Sequence, residues 1–441
     1  MELKNKIILN TAYRIVFLLL QLIITFIIPV ITGPEGFGFY SMVIANATLI
    51  LTLTSLGIPS GLTYHASKRD CEPDKLNNIL YLSTFIQLIV VVVAEILFFQ
   101  FWDKFVIWPS GNILFGVSGI LLFASLVLTE KYYAIYNGYN HLKTYNKLTV
   151  VFSLVTIFFL FILILDKQVD TNAVLFVVIC VSCLQALYMA NGARTVLKEN
   201  RSISAAPHEQ RFKFLSYSLK SYIANTFQFL ANRIDYWILL LFWGQMQLGH
   251  YSLSSRLGQL LLILPLILSA VIFPSVTSIH FKREKLDLMI RLINSLNISI
   301  GFIAVFLAFY LIPIFFGKEF QPSVIPFLIL IPGMILKSLI TMLATYFAGK
   351  GLVGINLRNS ALSVLLIVIL DFMLIPKHGP TGAALAITIA YIVSSFHALR
   401  AYRQIEKISD FRFIASLEEV IWMKNYSFQI LKDIRSNKIK E

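Results

Sequence analysis

The chain has little charge and little cysteine for its length. Of 441 residues only 14% are charged, against about 25% in an average soluble domain. That shortage excludes an ordinary globular enzyme, which needs a charged surface, and a disordered chain, which needs a charged body. Three cysteines provide no disulfide framework, which excludes a small secreted scaffold. Cys180 and Cys183 form a C-x-x-C inside an apolar run, with no histidine or third cysteine beside them. They read as small packing residues on one helix face, not as a metal or redox site. Walker loops, clustered metal ligands and nucleophile constellations are missing from the sequence. No catalytic or metal-binding residue is therefore assigned, no cofactor is expected, and ATP is not the expected energy source.

What is present is apolar. Hydrophobic residues make up 57% of the chain and phenylalanine alone contributes 36 positions. The composition points to an integral membrane protein. A helix needs about 20 apolar residues to cross the hydrocarbon core. Twelve stretches qualify, near 8–31, 39–64, 77–100, 112–134, 148–166, 172–195, 217–242, 250–279, 292–315, 324–347, 357–376 and 380–402. Alternating ten-residue strands are absent, so helices are expected and a barrel is not. The first apolar run is too long for a signal-peptide core and reads as a retained span.

The net charge of +14 would suggest nucleic acid in a soluble protein. Here its distribution gives topology instead. Alternate connections, counted with the span ends that flank them, hold twenty Lys and Arg residues. The opposite connections hold only Lys104, Lys167, Lys318 and Lys377, and the tail from Arg400 onward adds nine. Cytoplasmic loops carry the basic excess, so both termini are expected in the cytoplasm and no nucleic-acid partner is expected.

Four cations remain well inside the spans: Arg14, Arg233, Arg256 and Lys337. Each costs at least ~2.5 kcal/mol at the bilayer centre. An anionic substrate would account for them, because guanidinium groups offer a paired fork to phosphate oxygens. At about 1.5 Å per residue, Arg14 falls in the inner half, Lys337 near the middle, and Arg233 and Arg256 in the outer half. Arg14 also lies close enough to the inner surface to snorkel. The embedded acids are Glu95, Asp235 and Asp371. Asp235 and Asp371 are candidates for carrying a coupling proton or sodium ion, and equally for neutralising nearby cations. Asp235 stands two residues from Arg233, so the two point to different faces of one helix.

The chain carries an internal echo. Gly33, Gly38, Tyr40 and Ser41 recur as Gly244, Gly249, Tyr251 and Ser252, each pair 211 residues apart. Both copies follow the first span of a set of six. A duplication yields two parallel six-helix lobes, with a substrate path expected between them. The expected organisation is an N-terminal lobe over 1–200, a cytoplasmic linker over 201–216, a C-terminal lobe over 217–402 and a basic tail over 403–441. The tail reads equally as an amphipathic interfacial helix or as a plain basic extension.

The stretch Asn10–Gly61 reads N-T-A-Y-R … I-I-P-V-I-T-G-P-E-G-F-G-F-Y-S … S-L-G-I-P-S-G. With R-I-D-Y-W-I-L-L at 233–240, F-P-S-V-T-S at 273–278 and G-P-T-G-A-A-L-A at 379–386, it resembles the Wzx-type O-antigen and polysaccharide flippases. These belong to the multidrug/oligosaccharidyl-lipid/polysaccharide (MOP) exporter superfamily. The resemblance implies an all-α membrane fold of twelve helices in two lobes around a central cavity. It implies movement of a polyprenyl-diphosphate-linked oligosaccharide between leaflets of a bacterial inner membrane. The implied energy source is a proton or sodium gradient or the membrane potential. Membrane lipids, a polysaccharide polymerase and chain-length machinery are the implied partners. In related lipid flippases arginines line the cavity on the first two helices of each lobe, where Arg14, Arg233 and Arg256 fall; Lys337 lies on the tenth span.

Two rivals are weighed against this. A drug or cation antiporter of the same superfamily would favour an acidic cavity, and here basic residues outnumber acidic ones. A polymerase or glycosyltransferase would need sizeable outer loops, and the loops here are short. The remaining signals read as structural. Tyr132, Tyr133, Tyr136, Tyr139 and Tyr145 read as an interfacial aromatic belt. Gly57, Pro59, Pro265, Pro274, Pro326 and Pro332 are candidate kinks. His250 and His280 read as interfacial.

Overall fold

A computed structural model describes residues 2–69, 71–101, 113–165, 170–200, 210–276, 283–419 and 421. Among them no strand occurs; the chain is a succession of helices. They are α1 (Glu2–Thr54), α2 (Ile58–Lys68), α3 (Pro73–Phe101), α4 (Ile113–Gly138), α5 (Leu142–Ile164) and α6 (Thr171–Glu199). The second series is α7 (Gln210–Gln259), α8 (Ile263–Val276), α9 (Arg283–Phe316), α10 (Val324–Gly349) and α11 (Val353–Glu406).

Nine helical stretches among the described residues are long and apolar enough to cross a bilayer. Three of them are broken at a glycine: α1 at Gly33, α7 at Gly244 and α11 at Gly379. Counting each broken helix as two arms is consistent with twelve passes. Outward faces carry large apolar side chains, such as Leu82, Phe85 and Ile96 on α3 and Phe302, Phe306 and Ile314 on α9. In water such stripes would drive aggregation; in hydrocarbon they are the expected exterior.

The breaks have local causes. Gly33 sits at φ 64°, ψ −177° and Gly244 at φ 77°, ψ −174°. Only glycine enters that region without strain. The two residues are equivalent under the 211-residue offset, and they adopt the same conformation. Gly57, at φ 70°, caps α2 and interrupts the second pass as its position suggested. The eighth pass is interrupted by a short 3₁₀ turn, Leu260–Leu262. Pro265 lacks the N–H that would bond the Leu261 carbonyl. The buried side chain of Asn297 on α9 donates to that carbonyl instead, at 3.1 Å. By contrast α10 runs unbroken through Pro332.

The chain divides into two compact units. One comprises Met1–Ser252 with Phe315–Phe320, and the other Leu253–Ile314 with Gln321–Glu441. In the first, α1 packs on α5 and α6, and α4 packs on α2 and α6. Its core includes Tyr132, Tyr136 and Tyr139. These tyrosines are therefore not an interfacial belt; Tyr136 is fully buried and its hydroxyl donates to the Met189 carbonyl at 3.2 Å. Tyr133 alone of the five is exposed. His250 is likewise buried, edge-on to Phe320 at 5.9 Å, rather than interfacial. His280 lies outside the described residues. Cys180 is exposed and Cys183 half-buried, so only the latter packs inward.

Within the first unit the two glycine breaks meet reciprocally. A Cβ on Gly38 would stand 1.9 Å from the Gln245 carbonyl oxygen, and one on Gly249 would stand 1.8 Å from that of Pro34. Pro34 and Gln245 are themselves 211 residues apart. The crossing therefore has the two-fold relation expected of duplicated segments, and glycine is needed because backbone touches backbone. Nearby, Trp237 Nε1 donates to Asn46 Oδ1 at 2.7 Å.

In the second unit α10 packs on α11 and α8. Small residues, Ala383, Ala384, Ala386 and Ala390, let the second arm of α11 approach closely. The chain reverses at Lys407 (φ 52°), runs back without helix through Ser416 and re-enters helix at 417–419. Phe411 and Phe413 pack on this unit's core. Arg291 forms a two-pronged pair with Glu419, at 2.5 and 3.1 Å. Residues 408–416 form a packed strap rather than a free extension, and a helix with Leu417 and Ile421 exposed begins after it. Val420 and residues 422–441 lie outside the described residues.

Candidate functional site

Within each unit the embedded charges are set by particular helix crossings. Arg233 and Asp235 lie on the arm of α7 that precedes Gly244. Tyr251 lies on the arm that follows it, and the glycine break brings the two arms back to back. The Tyr236 and Tyr251 rings meet edge to face at 5.9 Å. The Arg233 guanidinium carbon stands 4.7 Å from the centre of the Tyr236 ring, one helical turn away. Asp235 is buried, and its carboxylate faces the Tyr251 hydroxyl with the Arg233 charge also acting on it. Arg233 and Asp235 leave the helix on different faces yet belong to one cluster, because two tyrosines bridge them.

Lys337 lies on α10 and is buried at 8% exposure. Its ammonium stands 4.6 Å above the Tyr391 ring on the second arm of α11. No described carboxylate pairs with it. Beyond Tyr391 the packing between the two arms of α11 is polar. Asn359, Ser363, Ile367, Asp371 and Ile375 follow one another at four-residue spacing along the buried face of α11. Ser363 and Ser394 share a 2.7 Å hydrogen bond, and His397 Nδ1 meets Asn359 Oδ1 at 3.1 Å. Asp371 is fully buried within this stripe.

Arg256 is half-buried on the second arm of α7, one turn before the 3₁₀ interruption. Arg14 lies on the first arm of α1; its side chain is outside the described residues. By position in the chain, Arg14 and Arg233 belong to the first unit, and Arg256 and Lys337 to the second.

One embedded cation escaped the sequence reading. Lys131 is one of the twenty basic residues assigned by sequence to the cytoplasmic connections, because it stands near the end of its span. The structure buries it almost completely, at 1% exposure. Its Nζ donates to Ser83 Oγ at 2.8 Å, Thr84 Oγ1 at 3.0 Å and Gln87 Oε1 at 2.5 Å, all on α3. Gln87 in turn donates to Thr54 Oγ1 at 3.3 Å, at the very end of α1. A sequence signal existed: Ser83, Thr84 and Gln87 share one face of an otherwise apolar span. A second buried set lies at the start of α9. Asp287 accepts from Tyr402 at 2.7 Å and pairs with Arg283 at 3.4 Å.

The family described as "Polysaccharide biosynthesis protein" matches residues 3–280, well over half of the chain. The chain belongs to that family. A capsular polysaccharide biosynthesis protein, CapF of Staphylococcus aureus, is 23% identical over 400 residues, covering 88% of this chain and 96% of that protein. A probable low-salt glycan biosynthesis flippase of Haloferax volcanii, Agl15, is 27% identical over 192 residues, covering 42% and 40%. The lipid II flippase MurJ, in an inward closed conformation, shares the fold with a TM-score of 0.66 at 14% identity, over 89% of this chain and 87% of that one. An inward-facing multidrug resistance MATE transporter of the MOP superfamily does so at 0.65 and 14%, over 88% and 95%. This family member is therefore an all-α, multi-pass membrane protein with the MOP-superfamily fold. That fold is common to lipid flippases and drug transporters, so the particular side chains must distinguish between them.

Proposed function

We propose that this protein is a flippase. It moves polyprenyl-diphosphate-linked oligosaccharide units, such as an O-antigen or another surface-polysaccharide repeat, from the cytoplasmic to the periplasmic leaflet of a bacterial inner membrane. The observation that carries this reading is Lys337: a cation inside the α10–α11 core, held over an aromatic ring, with no described carboxylate to neutralise it. A fixed cation at membrane depth is costly, and a diphosphate offsets that cost. A cationic drug would add to it, which disfavours the antiporter reading. Membership of a polysaccharide-biosynthesis family and the flippase descriptions of Agl15 and MurJ support the same choice.

In this mechanism Arg14, Arg233, Arg256 and Lys337 bind the diphosphate in turn as the protein alternates between inward and outward access. Arg supplies two parallel donors to phosphate oxygens; Lys337 supplies a point charge. Asp235 and Asp371 carry the coupling proton or sodium ion, and outward movement of negative charge also draws on the membrane potential. The proposed lobes are 1–200 and 217–402, joined by 201–216, with both termini cytoplasmic. A polymerase and chain-length machinery would take up the delivered units. The reaction is translocation, with no bond made or broken.

The test is a leaflet assay with a polyprenyl-diphosphate oligosaccharide in proteoliposomes. Arg14→Ala, Arg233→Ala and Arg256→Ala are each expected to lose transport while inserting normally. Normal transport in all three would overturn the assignment.

A further inference from the structure

The last span ends in a basic cavity that the transport reading does not use. It measures about 700 Å³ and is lined by Phe396, Leu399, Arg400, Arg403, Lys407 and Ser409, among others. Among the described residues no carboxylate lines it. Glu406, on the same helix turn, is engaged by the Tyr346 hydroxyl, and Asp410 follows the lining residue Ser409 without lining the cavity. The cavity exists because the chain reverses at Lys407 and the strap returns beside the helix end. Arg403 holds that reversal by donating to the carbonyls of Ile408 and Ser409. Arg400 and Lys407 remain exposed beside it.

The same helix face continues away from this cavity as a lipid-facing stripe. Leu385, Ile389, Val393 and Phe396 are all exposed, Phe396 at 68%. They follow one another at spacings of four, four and three residues, so they share one face. Arg400, Arg403 and Lys407 extend the same progression. One face therefore changes from exposed hydrocarbon to concentrated positive charge within a single turn. A diacyl lipid with an anionic phosphate headgroup has the same sequence of properties along its length. Basic pockets at the cytoplasmic ends of spans suit such headgroups.

We propose that this cavity binds an anionic glycerophospholipid of the surrounding leaflet. Its phosphate rests on Arg400 and Lys407, with Arg403 behind, and its acyl chains lie along Phe396, Val393 and Ile389. The continuous apolar stripe selects a lipid over a free phosphate ion.

The experiment uses the full chain in detergent, incubated with equal amounts of palmitoyl-oleoyl phosphatidylglycerol and phosphatidylcholine. Retained lipid is read by native mass spectrometry. Wild type is expected to retain phosphatidylglycerol preferentially. Arg403 is left intact because it shapes the reversal. R400Q/K407Q is expected to weaken phosphatidylglycerol retention by roughly fivefold per charge, about 30-fold in all. K318Q/K377Q, two exposed lysines elsewhere, is expected to leave it unchanged. Should the double variant fail to fold, R400Q alone supplies the same readout at about fivefold. Retention equal to wild type in the basic-cavity variant would overturn the proposal. So would full displacement of the lipid by millimolar inorganic phosphate, which would make the cavity a simple anion site.

Discussion

The reciprocal crossing of the two glycine breaks makes a quantitative demand on Gly38 and Gly249. Replacing Gly38 with alanine would put a methyl carbon 1.9 Å from the Gln245 carbonyl oxygen, where ordinary contact begins at 3.4 Å. The obstacle is backbone on both sides, so no rotamer can relieve it, and the arms must part by about 1.5 Å. Overpacking of this kind costs about 1–3 kcal/mol when side chains can yield; here the upper end or more is expected. Gly249→Ala meets the Pro34 carbonyl oxygen at 1.8 Å and should cost the same. Because one separation relieves both clashes, the double variant should be little worse than either single one. Thermal unfolding in detergent, compared between variants at one scan rate, measures this. Each single variant should melt about 3 °C or more below wild type, and the double within about 1 °C of the singles. A single variant melting within about 1 °C of wild type, or strictly additive losses, would refute the reasoning. Gly116→Ala is the control: nothing lies within 4 Å of that position, so stability should hold or rise by up to ~1 kcal/mol.

Three further outcomes are expected. Gln87→Leu removes one of three acceptors from buried Lys131 and should cost about 1–3 kcal/mol, read as a lower melting temperature. Lys337→Met replaces a buried cation by an apolar side chain of similar length; stability should hold or rise while leaflet transport falls sharply, and unchanged transport would exclude a role for the charge. The hydrogen bond from Arg291 holds the Glu419 carboxyl below the usual carboxylate range. Its contribution to strap docking is therefore present at neutral pH and lost as pH falls through that lowered value. Protease sensitivity of the tail should rise in strong acid, and Glu419→Gln should show the raised sensitivity already at neutral pH.

The spans themselves were legible because hydrocarbon demands long apolar runs and leaves few alternatives. The breaks at Gly33 and Gly57 were also legible, since glycine and proline act on their own backbone. Lys131 was misread because a lysine near a span end normally snorkels outward, and only the approach of α3 supplies it with oxygens 44 to 48 residues away. The tyrosines of α4 were misread for a similar reason: a span end is an interface only when no neighbouring helix covers it. The strap was undecidable from its own composition, because Arg291 and Glu419 are 128 residues apart.

By itself, then, the sequence determined the course of the apolar segments, their glycine breaks and the identity of the embedded charges. Each of these follows from one residue and its immediate neighbours meeting the bilayer. The tertiary structure alone decided which oxygens, rings or backbones those charges and glycines meet. Those partners come from segments distant in the chain, and helix crossing brings them within hydrogen-bonding range.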